Sequence, residues 1–372
     1  MSRIKVDLKE RSYDIYVGID TLPDLGKQLK EENNFDKIII ITDPLVNDLY
    51  GAAVRGSIKA AGLQVETIEV PRGEKYKSLK QAEKLYNKLV EIGAHRDSCI
   101  VALGGGVIGD LAGFIAATYM RGMALVYVPT TLLAQVDASI GGKTSVNHPK
   151  CKNLIGSFYQ PRFVFVDVKT LTTLPERELK TGLAEVIKYG VIEDQDLFKF
   201  LEANVHHLTT KAFEEEDTLR AALKVWQTIV AESAKIKARV VSEDEREEGL
   251  RMILNFGHTI GHAFETLTRY EKFNHGEAVA IGMVCAANIA KKMRMLDAVS
   301  VTRIRELIEN LGLPTMVERL SLKRVVKSLY IDKKVRKGKI QFVLPARIGR
   351  VEIKDNVRLK VVREILREAG CN

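Results

Sequence analysis

The residues best suited to chemistry stand in Leu254-Asn-Phe-Gly-His-Thr-Ile-Gly-His-Ala-Phe-Glu265 and, a little later, in Asn274-His-Gly-Glu277. Three of the seven histidines of the chain fall in these two segments. His258 and His262 are four apart, so on a helix they sit one turn above each other on the same face. Extending that face upstream adds Arg251 and Asn255, while Ile253, Phe256, Ile260, Phe264 and Leu267 supply apolar neighbours. A stripe of Arg, Asn, His and His beside a hydrophobic one presents chemistry to a pocket; an ordinary amphipathic surface helix is the alternative. The pair has the spacing of H-E-x-x-H, but position 259 is Thr, so the general-base glutamate of peptide hydrolysis is missing. A metal held here needs a carboxylate or a third histidine from elsewhere.

One source of that carboxylate is Gly182-Leu-Ala-Glu185-Val-Ile-Lys188-Tyr-Gly190, where Glu185 and Lys188 share a helix face among apolar residues. A simple ion pair three residues apart is one reading. The sharper one joins Glu185 to His258 and His275, because one Glu and two His with an open position form a catalytic zinc arrangement that polarises a hydroxyl or carbonyl. His275, just ahead of Gly276-Glu277, would reach back from a helix start.

Two further stretches suit anions. Gly104-Gly-Gly106-Val-Ile-Gly109-Asp110 follows an apolar strand and opens an apolar helix, so backbone N–H groups and the helix N-terminus can meet a diphosphate. It departs from the usual dinucleotide fingerprint, since it lies outside the first βαβ unit and Pro129-Thr-Thr131 stands where a ribose-binding acid is expected. Asp43, at the end of an earlier strand, can take that role; a plain strand-to-helix turn is the alternative. The loop-rich run 129–153 then brings together a hydroxyl pair, Asp137, Gly-Gly-Lys143-Thr, Asn147, His148, Lys152 and Asn153. Position 137 is Asp where a P-loop needs its first glycine, which excludes an ATPase of that type. Lysines beside glycines fit phosphate or carboxylate binding, or are solvated loop residues.

The elements that must position these residues read as two halves. Ile4–Leu8, Tyr13–Val17, Lys37–Thr42, Gln64–Val70 and Ser98–Leu103 are β-like and alternate with helical stretches, the pattern of a parallel α/β sheet up to about residue 170. From about 176 onward the chain reads as mostly helical. The expected domains are therefore 1–175, α/β, and 176–372, α-helical.

Composition narrows the class. At 372 residues, 46% hydrophobic, the chain is large enough for two cores. No apolar span of membrane length and no signal-peptide start are evident, which points to the cytoplasm. Cys99, Cys151, Cys285 and Cys371 form no CxxC pair and read as reduced thiols. The net charge of +9 is spread along the chain and mixed with acids, so it favours small anionic substrates over nucleic acid.

Taken in order, GGGVIGDLAGFIAATYMRG, VPTTLLAQVDASIGGKTSVNHP, LPEREL-x2-GLAEVIKYG, DE-x-EEGLR, LNFGHTIGHAFE and NHGEAVAIGM resemble the 3-dehydroquinate synthase family over almost the whole chain. The resemblance implies an N-terminal Rossmann-like α/β domain with a parallel sheet, an α-helical C-terminal domain and an active site in the interdomain cleft. It implies NAD, a divalent metal (Zn2+, or Co2+) and a homodimer. The implied metal ligands are Glu185, His258 and His275. NAD would be held by Asp43, Glu74, Lys77, Gly105, Gly106, Val107, Asp110, Thr130, Thr131, Lys143, Lys152 and the segment Thr170–Thr173. Arg121, Asp137, Lys143, Lys152, Asn153, Lys188, Lys237, Arg251, Asn255 and His262 would surround the substrate, with one lysine of Asp332-Lys333-Lys334.

The implied reaction takes 3-deoxy-D-arabino-heptulosonate 7-phosphate to 3-dehydroquinate and phosphate. Transient oxidation at C5 acidifies the C6 proton, phosphate leaves by β-elimination, the ketone is reduced again, and an intramolecular aldol step closes the ring. Such a route needs cations, a metal and a nicotinamide, but few dedicated bases, because the substrate phosphate can itself take the C6 proton. One departure is Cys151, where the family usually has Gly before its Lys-Asn pair. The alternatives are another sugar phosphate cyclase, such as a 2-epi-5-epi-valiolone or 2-deoxy-scyllo-inosose synthase, a metal-dependent polyol dehydrogenase, or a silent basic scaffold.

Overall fold

The computed structural model describes residues 1–32, 35–214, 216–268, 272–330, 335–336 and 339–372. It divides into two compact units, Met1–Leu174 with Trp226–Arg246, and Pro175–Val225 with Glu247–Asn372. Residues 226–246, placed in the second half by a linear reading, thus group with the first.

The first unit is built on seven strands: β1 (Ser2–Val6), β2 (Tyr13–Gly18), β3 (Lys37–Thr42), β4 (Gln64–Glu69), β5 (Cys99–Gly104), β6 (Ala124–Pro129) and, after the hairpin β7 (Lys143–His148) and β8 (Cys151–Phe158), β9 (Phe163–Asp167). The sheet order is β1-β2-β9-β6-β5-β3-β4; β1 pairs antiparallel with β2 and the rest are parallel. Ile38 to Ile41 are all fully buried, which is why this run reads as apolar without alternation: it is covered on both faces. β4, at the edge, alternates and is half exposed.

Among β3, β4, β5, β6 and β9 the chain runs outward from β3 in both directions, an order of 2-1-3-4-5. The direction reverses between β3 and β5. In open α/β sheets ligands bind outside the carboxyl ends of the strands at such a switch point. Asp43 follows β3 and Gly105-Gly106 follow β5, so the sheet brings these two features to one place.

The run 129–153 is more ordered than its composition suggests. It holds a helical turn, Ala134–Ala138, and then β7 paired antiparallel with β8. Lys143, Ser145 and Asn147 alternate with buried Thr144 and Val146. The period is that of a strand, but Val146 is the one aliphatic residue of β7, so hydropathy hides it.

Asp167 closes the end of β9. Its carboxylate accepts four backbone N–H groups, from Asp20 (2.8 Å), Thr21 (2.7 Å), Leu22 (3.0 Å) and Lys169 (2.9 Å), and it is 2% exposed. Removing it strands several buried donors at once. Asp167→Ala is expected to lower unfolding free energy by about 3–5 kcal/mol, read from the urea midpoint at constant m; a loss below about 1 kcal/mol would contradict this account.

The second unit is mostly helical: Glu176–Ile192, Gln195–Ala203, His258–Leu267, His275–Lys292, Ala298–Asn310, Leu322–Leu329 and Leu359–Glu368, with a two-stranded ribbon of Phe342–Arg347 and Arg350–Lys354. Cys99, Cys285 and Cys371 are buried free thiols, pushed well up by burial. Among the described residues no helix is long and apolar enough to cross a membrane.

Candidate functional site

Glu185 lies in the middle of a helix that is buried almost all round from Leu179 to Ile192. An ionised carboxylate there is expensive unless it is paired. Lys188, one turn on and 1% exposed, forms an ion pair with its Oε2. The other oxygen, Oε1, lies 3.4 Å from His258 Nε2 and 3.4 Å from His275 Nε2. The ion pair with Lys188 and the approach of the two histidines, alternatives in the sequence, therefore occur together, one on each carboxylate oxygen.

The stripe from Arg251 to His262 does not lie on one continuous helix. Leu250–Asn255 is a 3-10 segment, Gly257 is left-handed at φ +79°, and the α-helix begins at His258. The reason is packing. A Cβ on Gly257 would meet the Val279 carbonyl at 2.8 Å, and one on Gly282 would meet the Gly257 carbonyl at 2.0 Å. Only with glycine at both positions can the break in the chain press against the helix His275–Lys292. Arg251 is 1% exposed, and Asn255 Nδ2 donates to Glu247 Oε1 at 3.0 Å.

His275 starts its helix under a capping box that Asn274-His-Gly-Glu277 encodes. The Asn274 side chain accepts from Glu277 N at 2.9 Å, and the Glu277 carboxylate accepts from Asn274 N at 2.9 Å. Arg177 grips the same carboxylate at 2.8 Å through two nitrogens. Behind it, Gly276 lets the backbone close on Thr181, whose atoms lie 2.5 Å from where a Cβ would stand.

Whether Glu185, His258 and His275 fit a metal is tested by their other contacts. Their ligand atoms all lie within 4.8 Å of one another. His258 Nδ1 is 3.0 Å from the Phe256 carbonyl, and His275 Nδ1 is 3.3 Å from Glu265 Oε1. Each ring has an acceptor at Nδ1, so a neutral imidazole that donates there would turn an Nε2 lone pair inward, the outer-shell arrangement of metal-ligating histidines. The donor set, one carboxylate and two imidazoles, suits zinc or cobalt. Burial opposes a charge on His275, but hydrogen bonds to Glu185 and Glu265 outweigh it, and its pKa is pushed up to about 10. His262 lies beside the trio, its ring 5.3 Å from that of His258, with Nε2 3.9 Å from Glu265 Oε2. Glu265 is the residue that sequence reading passed over. Its position, seven after His258 and three after His262 on one face, was the available signal.

In the first unit the nucleotide candidates follow the carboxyl ends of the parallel strands. Asp43 accepts from Leu45 N (3.1 Å) and Val46 N (3.2 Å), with Arg72 at 3.5 Å. Gly105 caps the helix Gly106–Thr118, beside a small recess that Gly105, Gly106, Pro129 and Ala138 help to line. Thr130 and Thr131 follow β6; Thr170 and Thr173 follow β9, where the Tyr50 hydroxyl donates to the Thr170 carbonyl at 3.0 Å and pairs with Thr173 Oγ1.

A second group forms around Lys77, which is ion-paired with Asp110 and donates to Asn153 Oδ1 at 2.5 Å. Asn147 ties this group to Glu74, donating to Glu74 Oε1 at 2.7 Å and accepting from Asn153 N at 2.8 Å. Burial raises the Asp110 carboxyl against the opposing pull of Lys77. Lys237 Nζ holds Asp137 Oδ1 at 2.6 Å, which fixes both within this unit. Lys143 is exposed, Lys152 half-buried, and Arg121 sits exposed in the turn after Thr118 at φ +64°. Asp332, Lys333 and Lys334 lie outside the described residues.

The family models described as 3-dehydroquinate synthase N-terminal and C-terminal match residues 67–181 and 182–335. A solved 2-epi-5-epi-valiolone synthase from Streptomyces hygroscopicus subsp. jinggangensis 5008, with NAD+ and Zn2+ bound, is 25% identical over 98% of each chain, with a TM-score of 0.85. A 2-deoxy-scyllo-inosose synthase complexed with carbaglucose-6-phosphate, NAD+ and Co2+ is 28% identical over 99% of this chain and 100% of that one, with a TM-score of 0.83. The architecture is that of the sugar phosphate cyclases. The 3-dehydroquinate synthase of Picosynechococcus sp. is 48% identical over 368 residues, 99% of both chains. This chain belongs to the 3-dehydroquinate synthase family.

Proposed function

We propose that this chain converts 3-deoxy-D-arabino-heptulosonate 7-phosphate to 3-dehydroquinate and phosphate, the second step of the shikimate pathway, with NAD and a divalent metal, zinc foremost. The observation that carries the reading is a single carboxylate oxygen, Glu185 Oε1, meeting two inward-turned imidazole nitrogens, in a chain of this family. Glu185, His258 and His275 hold the metal. Asp43, Glu74, Lys77, Gly105, Gly106, Val107, Asp110, Thr130, Thr131, Lys143, Lys152, Thr170 and Thr173 serve NAD. Bound there, the metal would supply polarisation of a substrate oxygen and NAD reversible hydride transfer.

The chain's own side chains bind and orient. Arg251 offers a planar fork for a carboxylate or phosphate, and its burial holds that fork in place. Lys237 is positioned by Asp137, and Lys188 by Glu185, so both cations are set before substrate arrives. Lys143, Lys152, Asn153, Asn255, His262 and Arg121 complete the set of donors. With so many cations and so few unpaired acids, the chain is equipped to stabilise anions more than to abstract protons.

Lys152→Ala is expected to raise KM about tenfold while kcat changes little, as for a lost charge-assisted contact made in ground and transition states alike. An unchanged KM would remove Lys152 from the substrate's surroundings. The reading also makes the enzyme a cytoplasmic homodimer acting on a small anionic sugar phosphate, without nucleic-acid or membrane partners; light scattering of the purified chain checks the dimer.

The deciding experiment follows phosphate release from 3-deoxy-D-arabino-heptulosonate 7-phosphate with catalytic NAD and zinc, with and without a chelator, while NADH absorbance is recorded. Chelator-sensitive phosphate release without net NADH supports this reading. Accumulating NADH means a dehydrogenase, and silence moves the substrate to another sugar phosphate.

A further inference from the structure

We infer that Glu265 is a positioning residue for the metal site: its carboxylate fixes the tautomer and orientation of His275 and, through its second oxygen, steadies His262. The inference rests on the reading of Glu185, His258 and His275 as metal ligands. Three observations carry it. Glu265 is 6% exposed, so its charge has been taken out of water, and such a group stays only where it is matched by partners. Its Oε1 is 3.3 Å from His275 Nδ1, on the far side of the ring from Nε2, which faces Glu185. Its Oε2 is 3.9 Å from His262 Nε2.

The local sequence explains the arrangement. His258, His262 and Glu265 fall at i, i+4 and i+7 of one helix, so they share a face. His275 opens the following helix, where the capping box holds its backbone but leaves its ring free to turn. A hydrogen bond from Nδ1–H to a carboxylate removes that freedom and enriches the electron density at Nε2. His258 receives the same service from a backbone carbonyl, that of Phe256. A backbone acceptor is neutral and cannot be substituted; Glu265 is the member of the pair that adds charge and can be tested.

The test compares the full chain with Glu265→Met, which keeps bulk and removes the acceptor, and Glu265→Gln, which keeps an acceptor and removes the charge. Zn2+ affinity is measured by competition with a chromogenic chelator, and the Co2+-loaded proteins are compared by their visible ligand-field bands. Met is expected to weaken Zn2+ binding about 10- to 100-fold and Gln by about tenfold or less, with a shifted Co2+ band in both. Parent-like affinity and spectrum in both variants would overturn the inference. If Glu265→Met does not fold, Glu265→Gln decides alone: weaker binding with a shifted band sustains the role, and parent-like values end it. His275→Ala is the control. Should it bind Zn2+ as tightly as the parent, the assignment of the metal ligands has failed, and not merely that of Glu265.

Discussion

His275→Ala is expected to abolish stoichiometric metal binding and to lower activity about a thousandfold or more, while the protein stays folded. Several kcal/mol of charge stabilisation depend on a Lewis acid in such a site, and each 1.4 kcal/mol is a factor of ten. The fold should survive because the capping box uses Asn274 and Glu277, not the imidazole of His275. Glu185→Gln is expected to lose metal and activity to the same extent but to differ in stability. Its partner Lys188, 1% exposed, would be left as a buried cation beside a neutral amide. Breaking one side of a buried pair costs about 3–5 kcal/mol, so this variant should melt well below the parent and further below it than His275→Ala, which leaves Lys188 its partner. Full activity in a metal-free His275→Ala protein would sink the metal assignment, and equal melting of the two variants would sink the account of Lys188.

Gly282→Ala is expected to destabilise the chain by about 3 kcal/mol or more and to weaken metal binding at the same time. The added methyl would stand 2.0 Å from the Gly257 carbonyl and 3.0 Å from Gly261 N. Both are backbone atoms, so no side chain can swing aside, and the helix His275–Lys292 must move off the segment that leads into His258. One proposed ligand sits at the start of each helix, so any parting of the pair spreads His258 from His275. Tight metal sites tolerate only about half an ångström of such error. Urea unfolding and Zn2+ competition on the same preparation check both halves of this expectation. Gly56→Ala is the matched control: its Cβ would have nothing within 4 Å, and it lies inside the helix Ala52–Ala60. It should be neutral or stabilising by up to about 1 kcal/mol. If the two alanines behave alike, close helix approach is not what holds the ligands.

What could be read directly from the chain was whatever is local in sequence. Ile38 to Ile41 announce a strand covered on both faces, and Gly104-Gly-Gly106 announces a strand-to-helix turn, because in each case neighbouring residues dictate the outcome. His258 and His262 share a face for the same reason. Where local patterning misled, a long-range contact was in control. The 3.6-residue stripe continued through Gly257 on paper, yet the chain breaks there because the helix His275–Lys292 lies against it. The β7–β8 hairpin was masked because its buried positions carry Thr as well as Val, and hydropathy cannot see a backbone ladder.

Tertiary structure alone decided the rest. It set the strand order that brings Asp43 beside the glycine-rich turn, since register and crossover direction depend on packing between elements distant in sequence. It also decided that residues 226–246 return to the α/β unit, where Lys237 meets Asp137. Above all, it gave the two oxygens of Glu185 different partners, Lys188 on one side and two histidines on the other. A sequence can name a carboxylate and its candidate partners. Which of them face which oxygen is fixed only when three buried helices close on one another, because a charge removed from water is stable only where the packed interior returns the contacts it has lost.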